Sequence, residues 1–500
     1  MVGQRLIEFM AKPSADQSAA RGSEVQATRV REGEVGHNVL LEGNTGETSS
    51  SPTVSTKLQR IAEQAIQHPE MQFTTLAHLL DQELLREAYR RTNKKGSPGC
   101  DGVTAAEYAE HLDENLRDLH ERLRQGRYIP PPVKRTWLPK DDGSQRPIGK
   151  PTFEDKIVQR AVSMLLEEIY EQDFYDFSYG FRRGRSPHQA IHDLRERCRT
   201  MNVHWVLDAD VSGFFDHIDH RWLQEWLLRR VNDGSIRRLI GRWLKAGVLD
   251  GVDLTYSDEG TPQGGVISPL LANIFLHYVL DEWFVREIQP RLKGRAFLIR
   301  FADDFVIGCE LEVDPRRLME VLPKRFAKHG LTIHPEKTKL IEFGRPRNRP
   351  AAPATSGTRP NTPPASKPGV ESGSENGTFD FLGFTHYWTR SRKGYWVIQR
   401  RTSRKRLKRR QKSFWLWCRD KRHLPLAEQH ATLCQKLRGF YQYAGIRGNY
   451  RAMEAVFEAL RRTWRYWLGR RSHKSMIPWD KFEKLLERCP LPKPRIIHNI

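Results

Sequence analysis

No apolar run in the chain approaches 18 residues, so nothing offers itself as a membrane-spanning helix. The start, MVGQRLIEFMAKPSADQ, lacks the apolar core of a signal peptide. The cysteines (Cys100, Cys198, Cys309, Cys418, Cys434, Cys489) are scattered and form no C-x-x-C pair. They fit neither a disulfide framework nor a zinc finger and point to a reducing compartment. A soluble, intracellular chain is therefore expected. Acidic residues are in short supply: 61 Asp and Glu face 83 Lys and Arg, a formal net charge of +22. An excess of that size is an argument about partners. With aromatics interleaved among the basic runs, the expected partner is nucleic acid. The chain is too long for one ordinary core, and about two to four domains are expected.

Aromatics are scarce at the start. Residues 1–54 are rich in Ser, Gly, Glu and Thr and read as a disordered leader. Residues 346–377, mostly Pro, Ala, Ser, Thr and Gly, read as a disordered insertion. What lies between is patterned. Leu58, Ile61 and Ala65, then Leu76 to Ala88, give two amphipathic helices, the second ending before Gly96. Tyr128 to Lys140 reads as an extended edge strand that turns at Asp141-Asp142-Gly143-Ser144 and returns through Gln145-Arg146-Pro147-Ile148. Lys140 and Arg146 thus flank a hairpin tip; by pattern alone they are solvated charges or a grip for a triphosphate. A helix is expected from Phe153 to about Tyr170. The basic turn Tyr179-Gly180-Phe181-Arg182 suits a phosphate backbone or plain loop chemistry. Gly260-Thr261-Pro262-Gln263-Gly264-Gly265 feeds a helix with Ser268 as N-cap and Pro269 at its first position, running to about Ile288. Leu331 to Leu340 reads as one strand.

Two adjacent carboxylates interrupt apolar β-structure in Leu298-Ile299-Arg300-Phe301-Ala302-Asp303-Asp304-Phe305-Val306-Ile307. Neighbouring anions in a half-buried setting repel unless a cation sits between them. A solvated turn and a divalent-metal site are the two readings, and the second needs another carboxylate. Asp208-Ala209-Asp210-Val211-Ser212-Gly213-Phe214-Phe215-Asp216 supplies candidates. Asp210 closes a strand, and Asp208 and Asp216 compete with it by position. Such an oxygen set suits Mg²⁺. Beyond Arg392 cations accumulate: Arg404, Lys405, Lys408 and Arg409 on one helix, Arg438 before Phe440 and Tyr441, then Arg461 and Arg465 among Trp464, Tyr466 and Trp467. Arginine mixed with aromatics this densely favours RNA binding.

Asp210-Val211-Ser212-Gly213-Phe214-Phe215-Asp216, Thr261-Pro262-Gln263-Gly264-Gly265 and Phe301-Ala302-Asp303-Asp304, in that order, resemble a reverse transcriptase. Gly180-Phe181-Arg182, Lys337-Thr338-Lys339, Phe379 to Phe384 and Lys436 to Tyr443 narrow the likeness to the reverse transcriptase/maturase of group II introns. The resemblance implies an α+β right-hand polymerase, with fingers and palm at 55–386 and a helical thumb/maturase domain at 387–500. It implies Asp210, Asp303 and Asp304 as catalytic metal ligands for two Mg²⁺ ions, with Mn²⁺ as a substitute. It also implies Lys140, Arg146, Phe215 and Gln263 at the dNTP, with Phe215 as the gate against a ribose 2′-hydroxyl. Arg182, Lys337 and the tail cations are expected on nucleic acid. The implied partners are the intron RNA (template and splicing substrate), target DNA or primer, and dNTPs, with no membrane; the implied setting is a bacterial cytoplasmic ribonucleoprotein. Phe301 stands where the family usually has Tyr. No paired Cys or His cluster follows the thumb, so no endonuclease domain is expected. Two other classes stay in view: a catalytically silent splicing factor, and a polymerase in a non-intron role such as host defence.

Overall fold

The computed structural model describes residues 53–139, 145–250, 253–255, 260, 264–346, 377–471 and 476–500. Nearly all of the expected leader and insertion, and the dNTP candidates Lys140 and Gln263, lie outside the described residues. The two N-terminal helices are present as α1 (Val54–Gln67) and α2 (Gln82–Arg91), capped by the side chains of Thr53 and Asp81, the second starting later than expected because Ala77–Leu79 is a separate 3₁₀ turn. Helices α3 (Ala105–Glu110) and α4 (Leu112–Arg124) follow, α3 opening on a Thr104/Glu107 capping box. Strands β1 (Val133–Pro139) and β2 (Gln145–Lys150) pair antiparallel, then α5 (Phe153–Asp173) and α6 (Pro187–Thr200).

Next come β3 (Trp205–Ala209), β4 (Val211–Ser212), α7 (His220–Leu228), α8 (Gly234–Leu244), β5 (Val248–Asp250) and β6 (Asp253–Thr255). Helix α9 (Ser268–Leu276) continues through two wide π-helical turns, His277–Asp281 and Phe284–Ile288. Then follow β7 (Ala296–Phe301), β8 (Asp304–Cys309), α10 (Val313–Ala327), β9 (Thr332–Ile333), β10 (Lys339–Glu342), β11 (Phe379–Phe381), β12 (Phe384–Arg390) and β13 (Trp396–Thr402). Four helices close the chain: α11 (Arg404–Asp420), α12 (Leu426–Ala444), α13 (Tyr450–Gly469) and α14 (Trp479–Arg488).

The central sheet has the order β10-β3-β8-β7, all antiparallel. Period-two alternation sends its side chains into two separate cores. Leu207, Ala209, Leu298, Phe305 and Ile307 join the large core beneath α5 and α9. Val206, Phe297, Ile299, Phe301 and Val306 face a second core with α6 and β11–β13. A third cluster around Phe414, Leu437, Leu460 and the fully buried Trp464 holds the four C-terminal helices together. They join the third sheet through Tyr443 Oη, which donates to the Leu382 carbonyl at 2.6 Å, and the Thr402 amide, which donates to Asn449 Oδ1 at 2.8 Å.

Four further expectations need correction. Strand β1 is not an edge: β5 pairs with it in parallel on the side away from β2, in the order β2-β1-β5-β6. The Leu331–Leu340 strand is two short ones, because the segment bends around Asp210: β9 pairs with β4 and β10 with β3. Ile267, not Ser268, is the N-cap of α9, and it makes no side-chain cap. The 386/387 division falls inside β12, and the helical region begins at Arg404.

The β7–β8 turn is packed from outside by the Tyr179-Gly180-Phe181 segment, whose Tyr179 amide donates to the Arg300 carbonyl at 2.9 Å. A Cβ on Gly180 would collide with the Ala302 backbone amide and lie 2.9 Å from Ala302 Cα. Backbone on both sides leaves nothing soft to yield. Gly180→Ala is therefore expected to lower stability by about 1–3 kcal/mol, read as a fall in the urea midpoint.

Candidate active site

Phe301 pairs with Asp304 across the β7–β8 ladder, so Ala302 and Asp303 form a two-residue turn. Ala302 sits at φ 57°, in the left-handed region that costs a residue with a Cβ roughly 1–2 kcal/mol. The cost is borne because the turn is clamped. Arg300, wholly buried, donates Nη1 to the Ala302 carbonyl and to Asn273 Oδ1, both at 3.0 Å. Its Nε and Nη2 form a two-bond fork on Asp281 at 2.8 and 2.6 Å. Asn273 in turn donates to the Gly180 carbonyl at 2.7 Å. Asp281 reaches this position from the first π-helical turn, a local widening that often marks functional sites. Composition and periodicity missed Arg300 and Asp281. The available signal was a lone arginine in an apolar strand.

The turn brings Asp303 and Asp304 to the end of β3, where Asp210 follows Ala209. Asp303 is 2% exposed, and its Oδ1 is buried with no hydrogen-bond partner among the described residues. Burial, then the neighbouring Asp304, push its carboxyl up to about 7. Asp304 is raised by burial and by Asp210, with Lys337 opposing. Asp208 is also raised to about 7, by burial first and then by Asp304 and Asp210. The fourth carboxylate thus belongs to the same repulsive cluster, whereas Asp216 is exposed in the short 3₁₀ turn Phe214–Asp216.

Lys337, expected on nucleic acid, instead lies on Asp210: its ammonium is 2.8 Å from Oδ2. The bend between β9 and β10 delivers it, with the His334 amide donating to the Asp210 carbonyl at 2.8 Å. As the side chains stand, no three Asp, Glu, His or Cys groups among the described residues close around one point. The donor set nonetheless suits a hard divalent cation, since it consists of carboxylate oxygens, one of them buried and unpartnered.

Phe215 is buried, and the left-handed Gly213 (φ 54°) makes its turn possible. Gly260 packs on this turn, where a Cβ would stand 2.8 Å from the Asp216 carbonyl oxygen. At the other end of the same loop Gly264 (φ 119°) lies against the Gly149 carbonyl of β2. Gly260 and Gly264 thus pack against the Phe215 turn and against the strand bearing the half-buried Arg146, respectively.

The cations read as nucleic-acid contacts divide. Arg404, Lys405, Lys408 and Arg438 are exposed, and Arg409 is half-buried. Three others have donors engaged inside the protein, although Arg465 Nε has no partner among the described residues. Arg182 donates to Glu171 (3.0 Å) and to the carbonyls of Tyr175 (2.7 Å) and Ser178 (2.8 Å). Arg461 pairs with Glu458 at 2.9 Å and with Glu483. Arg465 donates to the Ile477 carbonyl at 2.8 Å and stacks on Trp479.

Raised carboxyls give a pH prediction. Asp303 titrates near 7 folded and near 4 unfolded, so the folded chain binds more protons in between, and the stability this group contributes is lost as pH rises through 7. Asp303→Asn, neutral at every pH, is expected to raise the melting temperature of the metal-free protein at pH 8, on the order of 5 °C. The advantage should vanish below about pH 4. Melting curves in a chelating buffer read both.

Residues 138–386 match the family model described as Reverse transcriptase (RNA-dependent DNA polymerase). Protein YkfC of Escherichia coli is 39% identical over 299 residues, 53% of this chain and 78% of that protein. The group II intron-encoded protein LtrA of Lactococcus lactis is 33% identical over 305 residues, 60% of this chain; the match spans 48% of LtrA, about half its length. Nuclear intron maturase 1 of Arabidopsis thaliana is 34% identical over 96 residues, 19% of this chain and 13% of that protein. No helix among the described residues is long and apolar enough to cross a membrane. The clamped Asp303-Asp304 turn, with Asp210 beside it, is thus found in a chain that belongs to the reverse transcriptase family, the RNA-directed DNA polymerases, in its group II intron-encoded reverse transcriptase/maturase branch.

Proposed function

We propose that the chain copies RNA into DNA by two-metal nucleotidyl transfer and that its C-terminal helices bind a group II intron RNA, promoting splicing and mobility as a ribonucleoprotein. The observation that carries the catalytic part is the buried, unpartnered Asp303 Oδ1 beside Asp304, within electrostatic reach of Asp210. A carboxylate oxygen held dry and unpaired is costly unless a cation is meant to meet it.

Asp210, Asp303 and Asp304 would hold the divalent ions, Mg²⁺ or Mn²⁺. Such ions, when bound, activate a primer 3′-hydroxyl and neutralise charge on the leaving pyrophosphate. The remaining work is done by side chains. Lys337 neutralises Asp210 in the resting site. Arg146, with Lys140 across the same hairpin, grips the triphosphate. Phe215 presents its ring to the sugar and crowds a 2′-hydroxyl, and the Gln263 loop packs along the nucleotide. The fingers and palm position these groups. The helical region from Arg404 onward holds the RNA through Arg404, Lys405, Lys408, Arg409 and Arg438. Lys436 to Tyr443, which resembles the family's maturase segment, supports the splicing role, as do the relatives named as a group II intron-encoded protein and an intron maturase.

Primer extension on an RNA template with a DNA primer tests the chemistry. The wild type is expected to extend with Mg²⁺, and Asp303→Ala with Asp304→Ala to leave only background. No extension by the wild type would sink the polymerase reading. Splicing of the RNA flanking the gene, with and without protein, tests the maturase part separately. Phe215→Ala is expected to shift the preference toward rNTPs by on the order of 10², measured as the ratio of kcat/KM for matched dNTP and rNTP. An unchanged ratio would refute the gate.

A further inference from the structure

Helix α8 carries a basic track that the polymerase mechanism does not use. A groove of about 580 Å³ runs between α7 and α8, with His220, Gln224, Arg237, Arg238 and Lys245 on its walls. On the neighbouring face of α8 a second concavity of about 400 Å³ opens against α4, sharing Arg238 and adding Arg124, His78 and His120. Among the described residues no Asp or Glu lines either one.

The cations in the first groove are also unspent. Arg237 is half-buried, and its Nε is buried with no hydrogen-bond partner among the described residues. Among the described residues Arg238 reaches only Ser235 Oγ, at 3.3 Å. Neither of them, nor Lys245, forms an ion pair among the described residues, whereas helical arginines elsewhere (Arg90, Arg122, Arg197, Arg316) each meet a carboxylate three or four positions away. In the second concavity the cations are already engaged: Arg124 pairs with Glu121 at 3.1 Å, and Arg242 donates to the Tyr128 carbonyl. The empty capacity is therefore confined to Arg237, Arg238 and Lys245. Adjacent like charges with a dry, unsatisfied donor destabilise the free protein and become favourable when an anion is supplied.

The shape selects the anion. From Arg238 to Lys245 the track advances about 10 Å along α8, too long for one phosphate and suited to a run of them. Its upper end touches the active-site perimeter. His220 opens α7 five residues after Phe215, and its Nε2 lies 2.5 Å from the carbonyl of Gly260, where the Gln263 loop begins. We infer that this groove is a second RNA site, distinct from the C-terminal helices, in which Arg237, Arg238 and Lys245 hold consecutive backbone phosphates of the RNA that the enzyme copies or accompanies. The inference rests on the reading of the chain as an RNA-copying enzyme. It predicts contacts that position the RNA without reading its sequence.

The test uses the full chain with Arg237→Gln/Arg238→Gln/Lys245→Gln and, in parallel, Arg237→Lys/Arg238→Lys, which keeps the charge. Binding of a labelled single-stranded RNA is titrated across a series of salt concentrations, with melting curves checking that each variant is folded. The Gln variant is expected to lose about 10- to 100-fold in affinity at low salt, and its log–log salt slope to fall by about 2, the loss of three phosphate contacts. The Lys variant should retain most of the binding. A folded Gln variant with wild-type affinity and slope would overturn the inference. So would an unchanged RNA affinity with a raised KM for dNTP, which would make the groove a nucleotide subsite. Primer extension by the wild type keeps the two claims apart: if it fails while the Gln variant still loses RNA affinity, the groove stands and the polymerase reading falls.

Discussion

The pair on which the active site depends is Arg300–Asp281, both fully buried and joined by two short hydrogen bonds. A buried ion pair adds little net stability, because desolvating both charges consumes most of the Coulombic gain. Removing one partner is another matter, costing about 3–5 kcal/mol. The pair therefore works as a positioning device. Arg300 has donors left over, and these fix the Ala302 carbonyl and Asn273, so a backbone angle that Ala302 would not choose is held in one geometry. One guanidinium ties together a strand, a turn and a widened helix.

The register explains why this cation leaves the acidic site ionisable. Arg300 stands opposite Phe305, on the face that packs under α9. Asp304 stands opposite Phe301, and Asp208 opposite Val306, on the other face. The sheet thus keeps structural charge on one side and chemical charge on the other. Were Arg300 on the carboxylate side, Asp303 and Asp304 would be neutralised in advance and no longer attract a metal ion. On the carboxylate face Lys337 meets Asp210 from a half-exposed side chain at a bend, and Lys339 stands opposite Asp208. The Lys337 contact is cheap to break, being solvent-exposed on the lysine side. Burial and mutual repulsion hold the carboxyls of Asp208 and Asp303 raised despite these lysines.

The carboxylates were legible in the sequence, and so were the amphipathic helices α1, α2 and α5. Paired Asp residues breaking an apolar strand and Gly213 before two phenylalanines are local signals, and each marks a turn the structure contains. What was not legible was set by distant partners. Arg300 meets Asp281 nineteen residues away and Arg461 meets Glu483 twenty-two away, separations that no periodicity carries. Strand β1 looked like an edge because its proline-rich approach suits one, but the partner that makes it internal, β5, comes more than a hundred residues later. The Leu331–Leu340 segment has the composition of one strand. It is divided because its two halves pair with different neighbours on either side of Asp210.

The arginines show why a net charge of +22 is a poor map of a binding surface. Arg182 and Arg230 are buried, and each caps backbone carbonyls: Tyr175 and Ser178, and His68 and Met71, respectively. Irregular connections leave carbonyls without partners, and a planar group with five donors satisfies several at once. Lysine, a compact and strongly hydrated charge, serves that purpose less well. Part of the basic excess is therefore internal scaffolding. Binding must be sought where cations have neither carbonyl nor carboxylate to hold, and by that criterion Arg237, Arg238 and Lys245 on α8 are better placed than Arg461 and Arg465, for all the aromatics around the latter.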